Sequence, residues 1–406
     1  MFFAIVLLIY IAIEIYTYFG LKSFWRGSKS RIRIIIKVLY FIILTASALA
    51  IISLLFFRDT SSTIARHLVS GTMIINLWTK VFILPFLVID DVRRLFLRFT
   101  KSKDESRVGQ GIKRSEFLQK AGLIAASIPL STLSTGIVIG GAYRYKIHRQ
   151  NLSFSNFPKA FDGLKIVQIS DIHSGSFYDK PAVLKGIKMI LDEKPDIVFF
   201  TGDIVNERAV EMENYYDVFS KITAPMGVYS ILGNHDYGKY HDWPSEEEEL
   251  ANFDAVKSIH SKLGWKLLLD EHFYLEKGKE KIGIMGVENW GRDFGETGDL
   301  KKAHQDCEAP FKILLSHDPT HWEDQVIKDF KDIDLTLSGH THGMQMGIET
   351  GGFKFSPIQL RYSRWAGLYE EGQQKLYINR GFGFIGYPGR IGIWPEITVI
   401  ELNHQT

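Results

Sequence analysis

The sequence predicts a sheet-rich α/β domain carried behind four membrane-spanning helices, and three observations predict it. The apolar residues, 46% of the 406, are concentrated in four long stretches before about residue 143. Beyond that point, short runs rich in β-branched residues alternate with helical patterns, as crossover units around a parallel or mixed sheet do. Five of those runs end in Asp, Asn or His.

The apolar stretches run over about 1–19, 34–57, 68–89 and 121–143. Each is close to the roughly 20 residues a helix needs to cross hydrocarbon. Lys and Arg are retained on the cytoplasmic side. The loop between the first two stretches carries Lys22, Arg26, Lys29, Arg31 and Arg33, and that between the last two carries Arg93, Arg94, Arg98, Lys101, Lys103, Arg107, Lys113, Arg114 and Lys120. The middle loop has only Arg58, Arg66 and His67. The basic loops therefore belong inside, and residues 144–406 form a domain on the periplasmic or extracellular face of a multi-pass inner membrane. Glu14 and Lys80 lie inside apolar stretches, where ionisable groups are costly unless paired. An ion pair between them is expected.

A net charge of +2 gives no field that recruits nucleic acid, and none is expected as a partner. The single cysteine, Cys307, excludes an intrachain disulfide and any multi-cysteine zinc or iron–sulfur site.

In the second half, Leu164 to Ile169 reads as a buried strand and delivers Asp171 and His173. A helix over about 181–191 leads to a strand at 196–200 that delivers Asp203. A helix through roughly 207–222 precedes a strand at 227–232 that delivers Asn234, His235 and Asp236. Strands at 311–315 and 333–337 deliver His317, then His340 and His342. Open α/β sheets bind ligands at the carboxyl ends of their strands.

Carboxylates, imidazoles and one carboxamide without thiolate suit manganese, iron or zinc better than calcium. Asp203 supplies a carboxylate able to bridge two ions about 3.5–4 Å apart. Five of the 13 histidines fall in these segments, too many for scattered structural use. Gly202, Gly233, Gly339 and Gly343 flank the ligands, where sharp turns and close approach are needed. His235 could protonate a leaving alkoxide, with Asp236 or another carboxylate holding its tautomer. Arg292, Arg380 and Arg390 are candidates for pairing with a substrate phosphate or carboxylate. Tyr237, Tyr240, Trp243, Trp290, Phe294, Phe382, Phe384 and Tyr387 sit in the loops expected to form the pocket rim.

The blocks Asp171-x-His173, Gly202-Asp203, Gly233-Asn234-His235-Asp236, His317 and Gly339-His340-Thr341-His342 resemble, in order and type, those of the calcineurin-like metallophosphoesterase superfamily. The segments Leu376 to Gly383, Pro388 to Arg390 and Pro395 to Ile397 are similar to its bacterial membrane-anchored or exported subgroup. The resemblance implies a four-layer α/β/β/α sandwich with two divalent metal ions at the strand ends. One metal would be held by Asp171, His173, Asp203 and His342, and the other by Asp203, Asn234, His317 and His340. His235 would be the catalytic histidine. The activity implied is metal-dependent hydrolysis of phosphate esters, chiefly diesters, on a phosphorylated small molecule or lipid beside the bilayer. A lipid-sugar-nucleotide pyrophosphohydrolase, or a non-catalytic membrane sensor, is the alternative.

Overall fold

A computed structural model of the chain describes residues 2–25, 31–56, 63–100 and 114–405. Of the loop cations named above, Arg26, Lys29, Arg58, Lys101, Lys103, Arg107 and Lys113 lie outside the described residues. The chain divides into two compact units, Met1–Ile139 and Gly140–Thr406.

The first unit is four helices: α1 (Phe2–Trp25), α2 (Arg31–Phe56), α3 (Thr63–Thr100) and α4 (Arg114–Val138). Among the described residues, 63–96 and 117–138 are long and apolar enough to cross a membrane. Leu21, Tyr40, Ile83, Leu87 and Ala126, drawn from all four helices, form the buried centre. Gly122 lets α4 approach α3 closely, since a Cβ there would lie 3.1 Å from Ile83 and Phe86. Small residues permit such packing where lipid removes the hydrophobic drive between helices.

Lys80 Nζ lies 3.2 Å from Glu14 Oε2, with both side chains buried. Asn76 donates to Glu14 Oε1 at 2.6 Å and the Tyr40 hydroxyl to Oε2 at 3.3 Å. The expected ion pair is formed and its remaining lone pairs are satisfied, the condition under which a buried pair is tolerated. The fourth apolar stretch behaves differently from expectation. Its helix ends at Val138, Gly140 turns left-handed at φ 65°, and Ala142 and Tyr145 join the core of the second unit.

The second unit is built on two six-stranded sheets. The first contains β1 (Lys146–Phe154), β2 (Leu164–Ile169), β3 (Ile197–Thr201), β4 (Val228–Ile231), β5 (Lys266–Leu267) and β16 (Glu396–His404). Their order is β1-β16-β2-β3-β4-β5, with only the β16–β2 pair antiparallel. The second contains β6 (Glu271–Lys277), β7 (Glu280–Gly286), β10 (Lys312–Leu315), β11 (Leu335–Ser338), β14 (Gly367–Glu371) and β15 (Gln374–Ile378), in the order β14-β15-β11-β10-β7-β6. Its inner pairs are parallel and its two outer pairs antiparallel. Two short hairpins remain: β8 (Trp290–Gly291) with β9 (Gly295–Glu296), and β12 (Ile348–Thr350) with β13 (Phe353–Phe355).

Side chains alternate across a strand, and both faces here are apolar. Ile197 and Phe199 of β3 join Ile313, Leu315, Leu335 and Leu337 in a core shared by the two sheets. Val198 and Phe200 face outward, against Ile187 and Ile190 of α5 (Lys180–Asp192) and Val256 and Ile259 of α7 (Glu246–Lys262). Burial on both faces is why these strands read as continuous apolar runs. Phe199→Ala should cost about 3–5 kcal/mol of unfolding free energy in a denaturant melt of the full chain.

The helix expected through roughly 207–222 is not continuous. A 3₁₀ turn at Ala209–Met212 and one α-turn, α6 (Tyr216–Phe219), replace it. The Glu211 carboxylate accepts the backbone N–H groups of Asn206, Glu207 and Arg208 and so folds this segment on itself.

Candidate metal centre

All five strand ends converge. β2, β3 and β4 bring Asp171, His173, Asp203 and Asn234 from one sheet, and β10 and β11 bring His317, His340 and His342 from the other. Two groups of ligand-type atoms result, Asp171 with His173 and His342, and Asp203 with His317 and His340; within each group the atoms lie within 4.8 Å of one another.

The backbone shows what this convergence requires. Asp171 (φ 52°), His173 (48°), Asp203 (63°), His340 (72°) and His342 (50°) are all left-handed, half of the ten non-glycine residues that are so among the described residues. Each such residue costs on the order of 1–3 kcal/mol, a strain that collects at functional sites. The glycines divide the remaining work. Gly202 (φ 95°) and Gly343 (φ 53°) supply turns. Gly233 and Gly339 are needed for closeness, because a Cβ would overlap Asp203 Oδ1 at the first and Ser170 Oγ at the second.

Asp203 stands between the groups: its Oδ2 is 3.5 Å from His173 Nε2 and 3.1 Å from His317 Nε2. Its Oδ1 accepts the His235 backbone N–H at 2.9 Å. His342 Nε2 lies 3.0 Å from His173 Nε2 and 3.2 Å from Asp171 Oδ1. Two imidazole nitrogens facing each other at that distance need a shared proton or a cation. His340 Nδ1 lies 2.8 Å from Asn234 Oδ1, and the Asn234 amide donates to the Tyr240 hydroxyl at 2.9 Å. These donors fit divalent metals of the manganese, iron or zinc type.

Burial holds His173 well below the usual imidazole range and lowers His340 too, leaving both neutral and ready to ligate. At His317 burial also opposes charge, but the Asp203 carboxylate outweighs it and raises the pKa to about 10. His317 Nδ1 is held by the Thr201 carbonyl at 2.7 Å, so Nε2 faces the carboxylate. A metal must displace that Nε2 proton, since a ligating imidazole is neutral. Metal binding at pH 8 is therefore expected to release a proton from His317, and affinity should rise with pH up to about 10. Calorimetric titration in buffers of different ionisation enthalpy measures the release.

His235 is half-buried, and its Nδ1 donates to the Asn206 carbonyl at 2.8 Å. Nε2 is thereby left as the free nitrogen. The expectation that Asp236 holds this tautomer is corrected. Asp236 instead accepts the backbone N–H groups of Asp203, Ile204, Val205 and Gly233, fixing the two ligand turns against each other.

Arg380 and Arg390 are also corrected. Arg380 is buried between Glu396 and Glu349, each at 2.6 Å. Arg390 is fully buried, donates to Gly381 and Gly383 carbonyls, and faces His342 Nδ1 at 3.1 Å. Both guanidiniums are buried and engaged by these partners, so neither is open to a substrate. Arg292 is exposed and pairs with Asp324 at 2.8 Å. Of the expected rim aromatics, Tyr240 packs on His235 with ring centroids 4.6 Å apart and Phe294 on His340 at 4.7 Å. Trp290, Phe382, Phe384 and Tyr387 are buried.

Two residues escaped sequence reasoning. The Tyr362 hydroxyl is 2.8 Å from His340 Nε2, although nothing near Tyr362 in the chain suggests a site. Asp318 follows His317 directly; its Oδ1 is held by Thr320, and its buried Oδ2 lies 3.4 Å from His340 Nε2. A carboxylate on the far nitrogen of a ligating histidine orients it and raises its basicity. Asp318→Asn should weaken metal affinity or activity about 10–100-fold, as read by titrating metal-free protein.

Residues 164–344 match the family model described as calcineurin-like phosphoesterase, and residues 1–141 match a model described as probable calcineurin-like phosphoesterase, transmembrane domain. The chain is 27% identical over 315 residues to a transmembrane protein with metallophosphoesterase domain from Danio rerio, covering 73% of this chain and 68% of the relative. It is 29% identical to the uncharacterized metallophosphoesterase YkuE of Bacillus subtilis, covering 66% and 92%, and 26% identical to the phosphodiesterase YaeI of Escherichia coli, covering 64% and 88%. Converging carboxylates and imidazoles, delivered by both sheets, thus lie in the region that matches the family: residues 164–344 carry a calcineurin-like phosphoesterase domain, that of a metal-dependent phosphoester hydrolase, and it follows a transmembrane domain at residues 1–141.

Proposed function

We propose that the chain hydrolyses phosphodiesters at the outer face of a membrane, using two metals held by Asp171, His173, Asp203 and His342 and by Asp203, Asn234, His317 and His340. The observation that carries this reading is the placement of Asp203 Oδ2 between His173 and His317, at 3.5 and 3.1 Å. Bound divalent metals supply hydroxide near neutral pH and polarise phosphoryl oxygens. The chain's own residues do the rest. Asp171 is held ionised, the neighbouring His342 outweighing the burial that opposes its charge, and it accepts the His340 backbone N–H at 3.0 Å. His235, oriented through Nδ1 by Asn206, acts as imidazolium, donating its Nε2 proton to the departing oxygen and regaining one from the water consumed. One water is consumed, one P–O bond is cut, and the alcohol leaves protonated.

The printed activity of the E. coli relative, phosphodiesterase, supports the diester preference. Helices α1 to α4 and the basic loops support a reading of four crossings with the domain outside. The two sheets and the helices outside them are read as a four-layer α/β/β/α sandwich. Rates on bis-p-nitrophenyl phosphate against p-nitrophenyl phosphate, with metal content measured on the same sample, test the chemistry. A faster monoester reaction overturns the diester preference, and a reporter fused after Thr406 that is active in the cytoplasm overturns the topology.

A further inference from the structure

The β12–β13 hairpin is built inside out. Glu349 and Lys354 are cross-strand partners, and both turn toward the domain: Glu349 to Arg380 at 2.6 Å, Lys354 to the Ala366 carbonyl and the Tyr369 hydroxyl. On the opposite face, where a water-exposed hairpin carries polar residues, stand Ile348 and its partner Phe355, with Phe353 paired to Thr350. Ile348 is 55% exposed, Phe353 60% and Phe355 43%, and Leu360, in the turn that follows, is 91% exposed. The polar face is pinned, so the apolar face cannot fold under.

The hairpin lies in the chain between two residues of the metal centre. His342 precedes it, and Tyr362, whose hydroxyl is 2.8 Å from His340 Nε2, follows it. The hairpin's Glu349, Phe353 and Lys354 line a cleft of about 340 Å³ together with Lys146, His148 and Trp394. Arg144 lies over the Trp394 ring, 4.8 Å from its centroid. Tryptophan with lysine and arginine is the composition of a bilayer interface. The last apolar helix ends at Val138, and the eight residues from there to Lys146 reach at most about 28 Å.

From this pattern we infer that the β12–β13 hairpin docks its apolar face on the bilayer, and that the substrate is a phosphate ester borne by a lipid. The inference rests on the phosphoester reading of the adjoining centre. Ile348, Phe353, Phe355 and Leu360 enter the boundary between headgroups and acyl chains, as apolar residues of interfacial elements do. Lys146 of the cleft, with Arg144 beside Trp394, faces anionic headgroups. A lipid phosphate then reaches the centre without leaving the membrane.

The full chain reconstituted in phosphatidylcholine vesicles containing phosphatidylglycerol tests both parts. An environment-sensitive label at Phe353→Cys, on a Cys307→Ala background, should be quenched by lipids spin-labelled near the headgroup. Replacing Phe353 and Phe355 together by Ser should lower hydrolysis of phosphatidylglycerol at least tenfold more than hydrolysis of soluble bis-p-nitrophenyl phosphate. Replacing both by Trp should restore it. A label open to aqueous iodide and unquenched by lipid overturns the docking, as does a label shielded from iodide but untouched by lipid, which marks a protein partner. Equal loss on both substrates overturns the lipid substrate. A chain that cleaves neither ester overturns the catalytic reading, and the quenching then decides the docking alone.

Discussion

Asp203→Asn is expected to reduce kcat/KM for a phosphodiester by on the order of 10²–10³-fold or more, the scale of losing one preorganised charged group at a reacting centre. Asparagine keeps the shape, and its Oδ1 can still accept the His235 N–H that Asp203 accepts at 2.9 Å. It removes the anionic oxygen that faces His173 and His317 at once. In the proposed two-metal reading both positions would lose a ligand, where substitution at any other position would cost one. In metal-free protein the same change removes the carboxylate that raises His317 to about 10, against the burial that lowers it, so the His317 imidazole should titrate at lower pH. Imidazole resonances followed by NMR across pH read this directly, and steady-state kinetics read the first effect.

His235→Gln should lower kcat about 10²–10⁴-fold, the usual contribution of a positioned acid, while leaving metal content intact, since no ligand-type atom of either group belongs to it. The loss should be larger for alkyl esters than for nitrophenyl esters. An alkoxide needs its proton on departure, whereas nitrophenolate leaves readily without one. Rates of the variant on the two ester classes, with metal analysis of the same preparation, separate a proton donor from a ligand. A variant that lost metal along with activity would make His235 a structural support.

Much of the centre was legible because its strands are buried on both faces. Ile197 to Phe200 and Ile313 to Leu315 form uninterrupted apolar runs, so the polar residues after them stand out as strand ends. The Glu14–Lys80 pair was legible for a related reason: a charge in an apolar stretch has few places to go. What stayed hidden depends on contacts distant in sequence. β1 mixes polar and apolar residues because it is an edge strand, paired only with β16. Arg380 and Arg390 look like phosphate binders until Glu396, Glu349 and the Gly381 and Gly383 carbonyls surround them. The left-handed turns at Asp171, His173, Asp203, His340 and His342 fall on residues with side chains, and the flanking glycines marked them only in part: Gly202 and Gly343 are left-handed themselves, while Gly233 and Gly339 serve close approach.

The most direct test of the central claim is a metal reconstitution. Full chain purified in detergent is stripped with a chelator, then titrated with manganese or zinc while bound metal and bis-p-nitrophenyl phosphate hydrolysis are followed together. Two positions sharing Asp203 predict about two equivalents bound and activity that returns only as the second is filled. Full hydrolysis by the stripped chain, or full hydrolysis with one equivalent bound, would contradict the shared two-metal centre.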